Sequence, residues 1–103
     1  MSSVETTESM SQAVQKTPNR VTLDSIRDKI SNVQVVFPDT TPHMTIAIAT
    51  MSNGFVVIGK SAPADPGNFD AELGKKFALE DVVRQMWQLE GYLLRQKLSE
   101  AHE

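Results

Sequence analysis

Residues 44–62, MTIAIATMSNGFVVIGKSA, decide the fold of this chain. On both sides of Asn53-Gly54 the segment is rich in Ile, Val, Thr and Phe, which favour β-strands. An Asn-Gly pair readily adopts the positive φ angles that a tight two-residue turn requires. The segment therefore predicts an antiparallel hairpin in which residues 44–51 pair with residues 55–61.

A further strand and a short helix are predicted before the hairpin. Apolar and polar side chains alternate over residues 32–37, and Pro38 ends the run, as expected of a strand. Because a two-stranded hairpin is marginal on its own, this strand should add to it and form a three-stranded sheet. Upstream, residues 22–30 carry apolar side chains at helical spacing, and Thr22 is suited to cap that helix.

A long helical segment is predicted after a loop that contains Pro and Gly. Asp65 or Asn68 can cap its first turn. Gly74 and Gly91 lower its helical stability, so we expect a break or kink near Trp87 to Gly91. Its apolar side chains recur at helical spacing and form one stripe, made by Leu79, Val82, Val83, Met86, Leu89 and Leu93.

These elements together predict an α+β fold. A short N-terminal helix leads into a three-stranded antiparallel sheet, and the long C-terminal helical segment packs on one face of that sheet. The face expected to receive the helix carries the larger β-branched side chains, Ile46, Ile48, Val56 and Ile58.

The chain is long enough for one domain. Its first 18 residues contain almost no large apolar side chains, so they bury too little surface to offset the entropy lost on ordering. We predict a disordered tail over residues 1–18, a single α+β domain over residues 19–99, and a frayed end over residues 100–103. Because so small a domain buries a limited share of its surface, a homodimer or higher homo-oligomer would add burial.

Composition excludes several classes of protein. The chain has no cysteine and two histidines, so we expect neither disulfides nor thiol nucleophiles nor histidine metal clusters, and no cofactor. The net charge is −3, which gives no strong attraction to nucleic acid or to anionic membranes. No apolar run reaches the length of a membrane helix, and the acidic N-terminus is unlike a signal peptide.

No motif in the sequence indicates an enzyme. Gly59-Lys60-Ser61 matches the end of a phosphate-binding loop, but that motif opens a helix, whereas these residues lie in a predicted strand. The carboxylates of the long helix have basic residues four positions away, as in Glu80 and Arg84, which is typical of a solvated surface. We therefore predict a non-enzymatic protein without catalytic residues or a metal site.

Three polar residues are candidates for ligand binding. Arg84 and Lys75 can contact phosphate, and Asn68 can bind an amide or a base edge. Each also has a structural alternative. Asn68 can cap the helix, Lys75 can be solvated, and Arg84 can pair with Asp81 or Glu80.

Two aromatic residues of the same helix are candidates for an interface. Trp87 and Tyr92 belong to the residue types most often found as interface anchors. For Trp87 the alternative is ordinary packing of the helix against the sheet.

The strings NGFVVIGKSA and NFDAELGKKFALEDVVRQMWQLEGYLL add a resemblance. They are similar to a family of small accessory proteins of tailed bacteriophages, named after gene product forty-nine of a podovirus. The similar region runs from Leu23 to Leu98, and other members often carry proline where this chain has Gln88. The residues most specific to the resemblance are Asn68-Phe69-Asp70, Gly74, Arg84, Trp87 and the run Leu89-Glu90-Gly91-Tyr92-Leu93. The resemblance implies a protein of the host cytoplasm without an agreed activity.

Residues and resemblance together support two hypotheses of function. The first is a non-enzymatic phage protein that binds and inhibits a host component, above all a host protein, during host takeover or counter-defence. The alternative is a sponge that sequesters a small nucleotide immune signal, with Asn68, Lys75 and Arg84 near the ligand. A nucleotide that binds the native state should raise its thermal stability, whereas a protein inhibitor should co-purify with one host polypeptide.

Overall fold

A computed structural model describes residues 3–101 of the chain. We label its elements α1 (Ser3–Ala13), α2 (Leu23–Lys29), β1 (Ile30–Val36), β2 (Thr45–Met51), β3 (Val56–Ser61) and α3 (Ala71–Ala101), with a 3-10 helix at Pro66–Asn68. The predicted α+β fold is confirmed, because a short helix precedes a three-stranded antiparallel sheet and the long α3 packs on that sheet.

The strands form one sheet in the order β1-β2-β3. In the β2–β3 hairpin Ile48 lies opposite Ile58, and the turn contains Gly54 at a φ of +90°. The backbone N–H of Met51 donates to the carbonyl oxygen of Phe55 at 2.8 Å, and that of Gly54 donates to the carbonyl of Met51 at 2.9 Å. The hairpin and its turn therefore form where the sequence predicts them.

The prediction of the helix-facing side of the sheet is wrong. The buried side carries mostly small residues, namely Thr45, Ala47, Ala49, Met51, Val57 and Gly59. The residues expected there, Ile46, Ile48, Val56 and Ile58, lie on the opposite side, where Val56 is 49% and Ile58 is 57% exposed.

The close approach of α3 explains which side is buried. A Cβ atom on Gly59 would lie 2.1 Å from the carbonyl oxygen of Ala78 and 2.8 Å from Cγ2 of Val82. A Cβ atom on Gly74 would lie 2.3 Å from Oγ1 of Thr45, so the helix too presents a residue without a side chain. Ile and Val would hold the helix farther away, whereas Ala and Gly allow close packing of the two backbones.

The long helix is continuous. It has 31 residues, about 46 Å at the usual rise per residue, and the expected break between Trp87 and Gly91 does not occur. Gln88 supplies the backbone N–H that a proline would lack, and a single glycine weakens a helix without ending it. The helix continues to Ala101, so residues 100 and 101 of the predicted frayed end are helical, and residues 102–103 lie outside the described residues.

One of the predicted helix caps is confirmed, and the other is wrong. Thr22 caps α2 as predicted. The cap of α3 is neither Asp65 nor Asn68, because Oδ1 of Asp70 accepts the hydrogen bond from the backbone N–H of Leu73 at 2.9 Å. Asp65 caps the 3-10 helix that precedes α3 instead. An inserted 3-10 turn thus moves the start of α3 toward the C-terminus.

Residues 3–13 form a helix, where the sequence predicted a disordered tail. Val4 is 3% exposed and joins the core. The backbone N–H of Val4 donates to Oε2 of the buried Glu80 at 3.4 Å, so a carboxylate of α3 meets the positive end of α1. The buried side chain of Val4 and charged residues elsewhere in the chain, such as Glu80, hold this segment in place. The composition of residues 1–18 alone does not reveal these distant partners.

Ion pairs attach the rest of α1 to the segment around α2. Glu5 lies 3.3 Å from Arg27, while Glu8 pairs with Arg20 and accepts a hydrogen bond from the backbone N–H of Leu23. Burial raises the pKa of Glu8, but the hydrogen bonds from Leu23 and Arg20 and the charge of Arg20 outweigh it. The pKa of Glu8 therefore lies below its ordinary value, and the ionised form stabilises the attachment of α1.

Candidate functional site

A cavity of about 210 Å³ opens beside the first turns of α3. Among the residues that line it are His43, Ser61, Asn68, Phe69, Leu73 and Phe77. Phe69 also makes an edge-on contact with the ring of Phe37, with the ring centroids 6.0 Å apart. The cavity therefore combines aromatic rings with an amide and an imidazole, and packing outside it holds one of the rings in place.

A second, wider cavity adjoins the first along α3. Its volume is about 600 Å³, and Leu73 and Phe77 line both cavities. Three basic side chains, Lys60, Lys76 and Arg84, line the second one. We call the two cavities together the α3 cleft, defined by Asn68, Phe69, Leu73, Phe77, Lys60, Lys76 and Arg84.

Backbone N–H groups engage the two acidic side chains of the second cavity. Oδ2 of Asp81 accepts a hydrogen bond from the backbone of Lys60 at 2.9 Å, and Glu80 accepts the bond from Val4 described above. Neither carboxylate pairs with Arg84, so the structural alternative proposed for that residue is wrong. Both carboxylates instead fasten neighbouring segments to α3.

The basic side chains of the cleft retain donors for an anion. Arg84 donates from Nη2 to the hydroxyl of Ser3 in α1. In the part of the chain from residue 3 to residue 101, neither Lys60 nor Lys76 takes part in an ion pair. The second cavity therefore holds three cations and two carboxylates, and none of the three cations forms an ion pair with a carboxylate.

Two of the three predicted ligand-binding residues line the α3 cleft, at its opposite ends. Asn68 lines the first cavity and Arg84 lines the second. Lys75 lines neither, because its Nζ is directed toward Oε1 of the exposed Glu72, 3.4 Å away. Asn68 and Arg84 are separated by a length of chain equal to about four to five helical turns. Leu73 and Phe77 lie between them and line both cavities, so the two cavities form one continuous surface.

The two predicted interface anchors differ in their surroundings. Trp87 is half-buried against the core, and its indole N–H donates to the carbonyl oxygen of Val21 at 3.1 Å. It therefore has the structural role that we considered as its alternative. Tyr92 is 76% exposed, in the part of α3 that extends about 22 Å beyond its last buried residue, Met86. Leu89 and Leu93 are exposed beside it.

Sequence reasoning missed the importance of Phe77, Leu73 and His43 for the shape of the cleft. Phe77 follows Leu73 by four residues, and both lie outside the predicted apolar stripe. Both side chains are about half exposed. An apolar pair at this helical spacing, away from the stripe, was the available signal. His43 has no comparable signal, since the fold alone brings its loop to α3.

Two kinds of site find no support in the part of the chain that the structure describes. Residues 3–101 contain no group of three His, Asp or Glu side chains placed to hold a metal ion. None of their helices combines the length and the apolar character that a membrane span requires. Fold and cleft together define a small α+β protein with an open cleft that is aromatic at one end and, at the other, carries three basic and two acidic side chains.

The chain belongs to the phage protein (N4 Gp49/phage Sf6 gene 66) family, whose model matches residues 13–98. The match includes the sheet and nearly all of α3, and it begins at the last residue of α1. It confirms the resemblance found in the sequence. No curated protein and no solved structure matches the chain. The protein is therefore a phage protein, and membership of the family names no ligand.

Proposed function

We propose that this phage accessory protein binds and neutralises a host component in the host cytoplasm without chemistry of its own, and that the component is a small nucleotide signal of antiphage defence. The observation that carries the proposal is the joining of an aromatic cavity to a basic one in the α3 cleft. Nucleotides pair a stacking base with anionic phosphate, and this cleft offers a surface for each.

The first cavity suits the base. Phe77 and Phe69 offer rings for stacking, and the amide of Asn68 can donate to and accept from a base edge. A volume of about 210 Å³ lies below the range of about 300–1,000 Å³ that is usual for small-molecule sites, so a single base fits it better than a whole dinucleotide does.

The second cavity suits the phosphate. Lys60 and Lys76 provide mobile ammonium groups, and Arg84 provides a planar guanidinium that can bind two phosphate oxygens at once. Because Arg84 donates to Ser3 of α1, a phosphate has to share or replace that hydrogen bond. Binding should therefore change the environment of α1 as well as that of α3.

Thermal melting of the purified protein with a panel of linear and cyclic nucleotides tests the proposal. A nucleotide at a hundredfold excess over its Kd should stabilise the fold by about 2.7 kcal/mol. Arg84→Ala and Asn68→Ala should abolish that shift, and Lys75→Ala is the matched control, because it removes a cation of the same helix outside the cleft. Absence of a shift with every nucleotide, or loss of the shift in Lys75→Ala alone, would contradict the proposal.

A host protein is the second candidate for the bound component. Tyr92, Leu89 and Leu93 are exposed apolar side chains on the part of α3 beyond the core, and Tyr is enriched among interface anchors. Capture with the tagged protein from host lysate should then yield one polypeptide with the wild type and none with Tyr92→Ala. Mass spectrometry of small molecules released from the same preparation separates this outcome from nucleotide capture.

A further inference from the structure

The side of the sheet away from α3 is apolar and open to solvent. Three rows of paired residues cross it, Gln34–Ile48–Ile58 in the middle, Val36–Ile46–Lys60 on one side and Asn32–Thr50–Val56 on the other. We call these nine residues the outer face. Five of the nine are Val or Ile, and no helix of the described residues packs on them, because α3 occupies the other side.

The strand sequences are typical of a sheet that is covered on both sides. An antiparallel sheet with one side in water alternates apolar and polar residues along each strand. Strand β2, TIAIATM, is instead apolar on both sides, and β3 begins with the continuous run VVIG. Continuous apolar runs indicate burial on both sides, and residues 3–101 of one copy supply only the layer made by α3.

We propose that the outer face packs against the outer face of a second copy of the chain. The product is a two-layer β-sandwich with the α3 helices on the outside, the aligned packing that two twisted sheets adopt about 10 Å apart. The two proposals share one residue, Lys60, which belongs both to the α3 cleft and to a corner of the outer face. The other residues of the outer face and the helix α3 lie on opposite sides of the sheet.

The charges of the outer face favour a second copy over a charged partner. Its one ionisable residue is Lys60, at a corner of the face. A two-fold axis in the plane between the sheets, parallel or perpendicular to the strands, places Lys60 opposite Val36 or Val56 of the other copy. No two lysines then meet, and the lysine stem can cover the valine while its ammonium reaches water at the rim.

The area of the outer face predicts the strength of the dimer. Nine positions, spaced by about 4.8 Å across strands and 6.6 Å along them, cover roughly 290 Å² on each copy. The two copies together would bury roughly 600 Å², counted as flat area without the extra surface of the side chains. This area is less than the 1,200–2,000 Å² that most stable interfaces bury. We therefore expect a weak dimer that forms and separates with concentration.

Sedimentation equilibrium of the full chain over about 1 to 500 µM tests the proposal. The weight-average mass should rise from 11.4 kDa toward twice that value. The variant Ile48→Thr/Ile58→Thr retains β-branched strand formers but presents hydroxyls, so its self-association should weaken at least tenfold while its circular dichroism spectrum stays unchanged. Val14→Thr is the matched control, because it makes the same kind of change at an exposed valine outside the outer face and should dimerise like the wild type.

Three outcomes would overturn the proposal. They are a wild type that stays monomeric at the highest concentration, a double variant that is folded and dimerises as tightly as the wild type, and a host polypeptide that binds the outer face of a monomeric chain. If the double variant does not fold, Val56→Thr at the edge of the face makes the same comparison with a single change. Undiminished dimerisation of that folded variant and of Ile58→Thr likewise counts against the proposal.

Discussion

Replacing Gly59 by alanine tests how closely α3 lies on the sheet. The added Cβ atom would stand 2.1 Å from the carbonyl oxygen of Ala78, roughly 1 Å closer than two such atoms can approach. Because the obstacle is the backbone of a helix, no side-chain rotation relieves it. Overpacking of a core costs about 1–3 kcal/mol, and we expect about 3 kcal/mol or more here. For a domain of this size that lowers the melting temperature by roughly 12–24 °C.

Gly91→Ala is the matched control for this substitution. Both changes add one methyl group to a glycine, but a Cβ atom on Gly91 would meet nothing within 4 Å. Gly91 lies inside α3, where alanine is the better helix former, so this variant should gain up to about 1 kcal/mol. The two alanines should therefore change stability in opposite directions.

Urea unfolding measures both effects, with the fluorescence of Trp87, the single tryptophan of the chain, as the probe. Circular dichroism of the same samples shows whether unfolding remains a single transition. If Gly59→Ala stays within about 0.5 kcal/mol of the wild type, α3 does not lie against β3 as described. The explanation of why the small residues face the helix would then fail as well.

Three further substitutions test single features of the fold. Gly54→Val places a β-branched residue at a φ of +90° and should cost roughly 1 kcal/mol or more, measured by thermal melting. Trp87→Phe removes the indole N–H that bonds to a backbone carbonyl and should cost about 1 kcal/mol in urea unfolding, followed by circular dichroism because the variant has no tryptophan. Glu8→Gln should lower stability at neutral pH and reduce its loss in acid, measured by melting across a pH series. The folded-state pKa of Glu8 is lowered, so its contribution is present above the ordinary carboxyl pKa and is lost as the pH falls through the folded-state value.

Local signals predicted the strands well. The hairpin depends on residues that are neighbours in sequence, Asn53-Gly54 and the β-branched residues on either side, so no distant contact is needed to specify it. The cap of α2 at Thr22 is local in the same way. The start of α3 was harder to predict, since Asp65, Asn68 and Asp70 are all acceptable caps in the sequence.

Features that depend on distant contacts could not be predicted in this way. Periodicity distinguishes the two sides of β2 without showing which one meets the helix, and both sides are apolar here. Because large side chains are preferred in a core, we predicted that Ile46 and Ile48 face α3. The helix instead packs closely against the small residues Ala47 and Gly59, on the other side of the sheet. The helix α1 likewise depends on Glu80, which is far away in the sequence.

The candidate site was predictable in part. The resemblance to the family drew attention to Asn68 and Arg84, and both lie in the α3 cleft. Lys75 was equally plausible from the sequence, but the turn of the helix directs it to Glu72 instead. The cleft itself arises where a loop, a strand end and a helix meet, so its lining cannot be deduced from any one segment.

The fold accounts for several of the residues that are most specific to the resemblance. Asp70 caps α3, Gly74 makes room for a buried threonine, and the indole of Trp87 bonds to a backbone carbonyl. Asn68 and Tyr92 differ, because both are exposed and their side chains form no hydrogen bond within residues 3–101. Asn68→Ala and Tyr92→Ala should therefore stay within about 0.5 kcal/mol of the wild type in urea unfolding. If either variant then loses nucleotide or host-protein binding, the loss is due to a lost contact with the ligand and not to unfolding. A large loss of stability would instead show that the packing of the fold requires Asn68 or Tyr92.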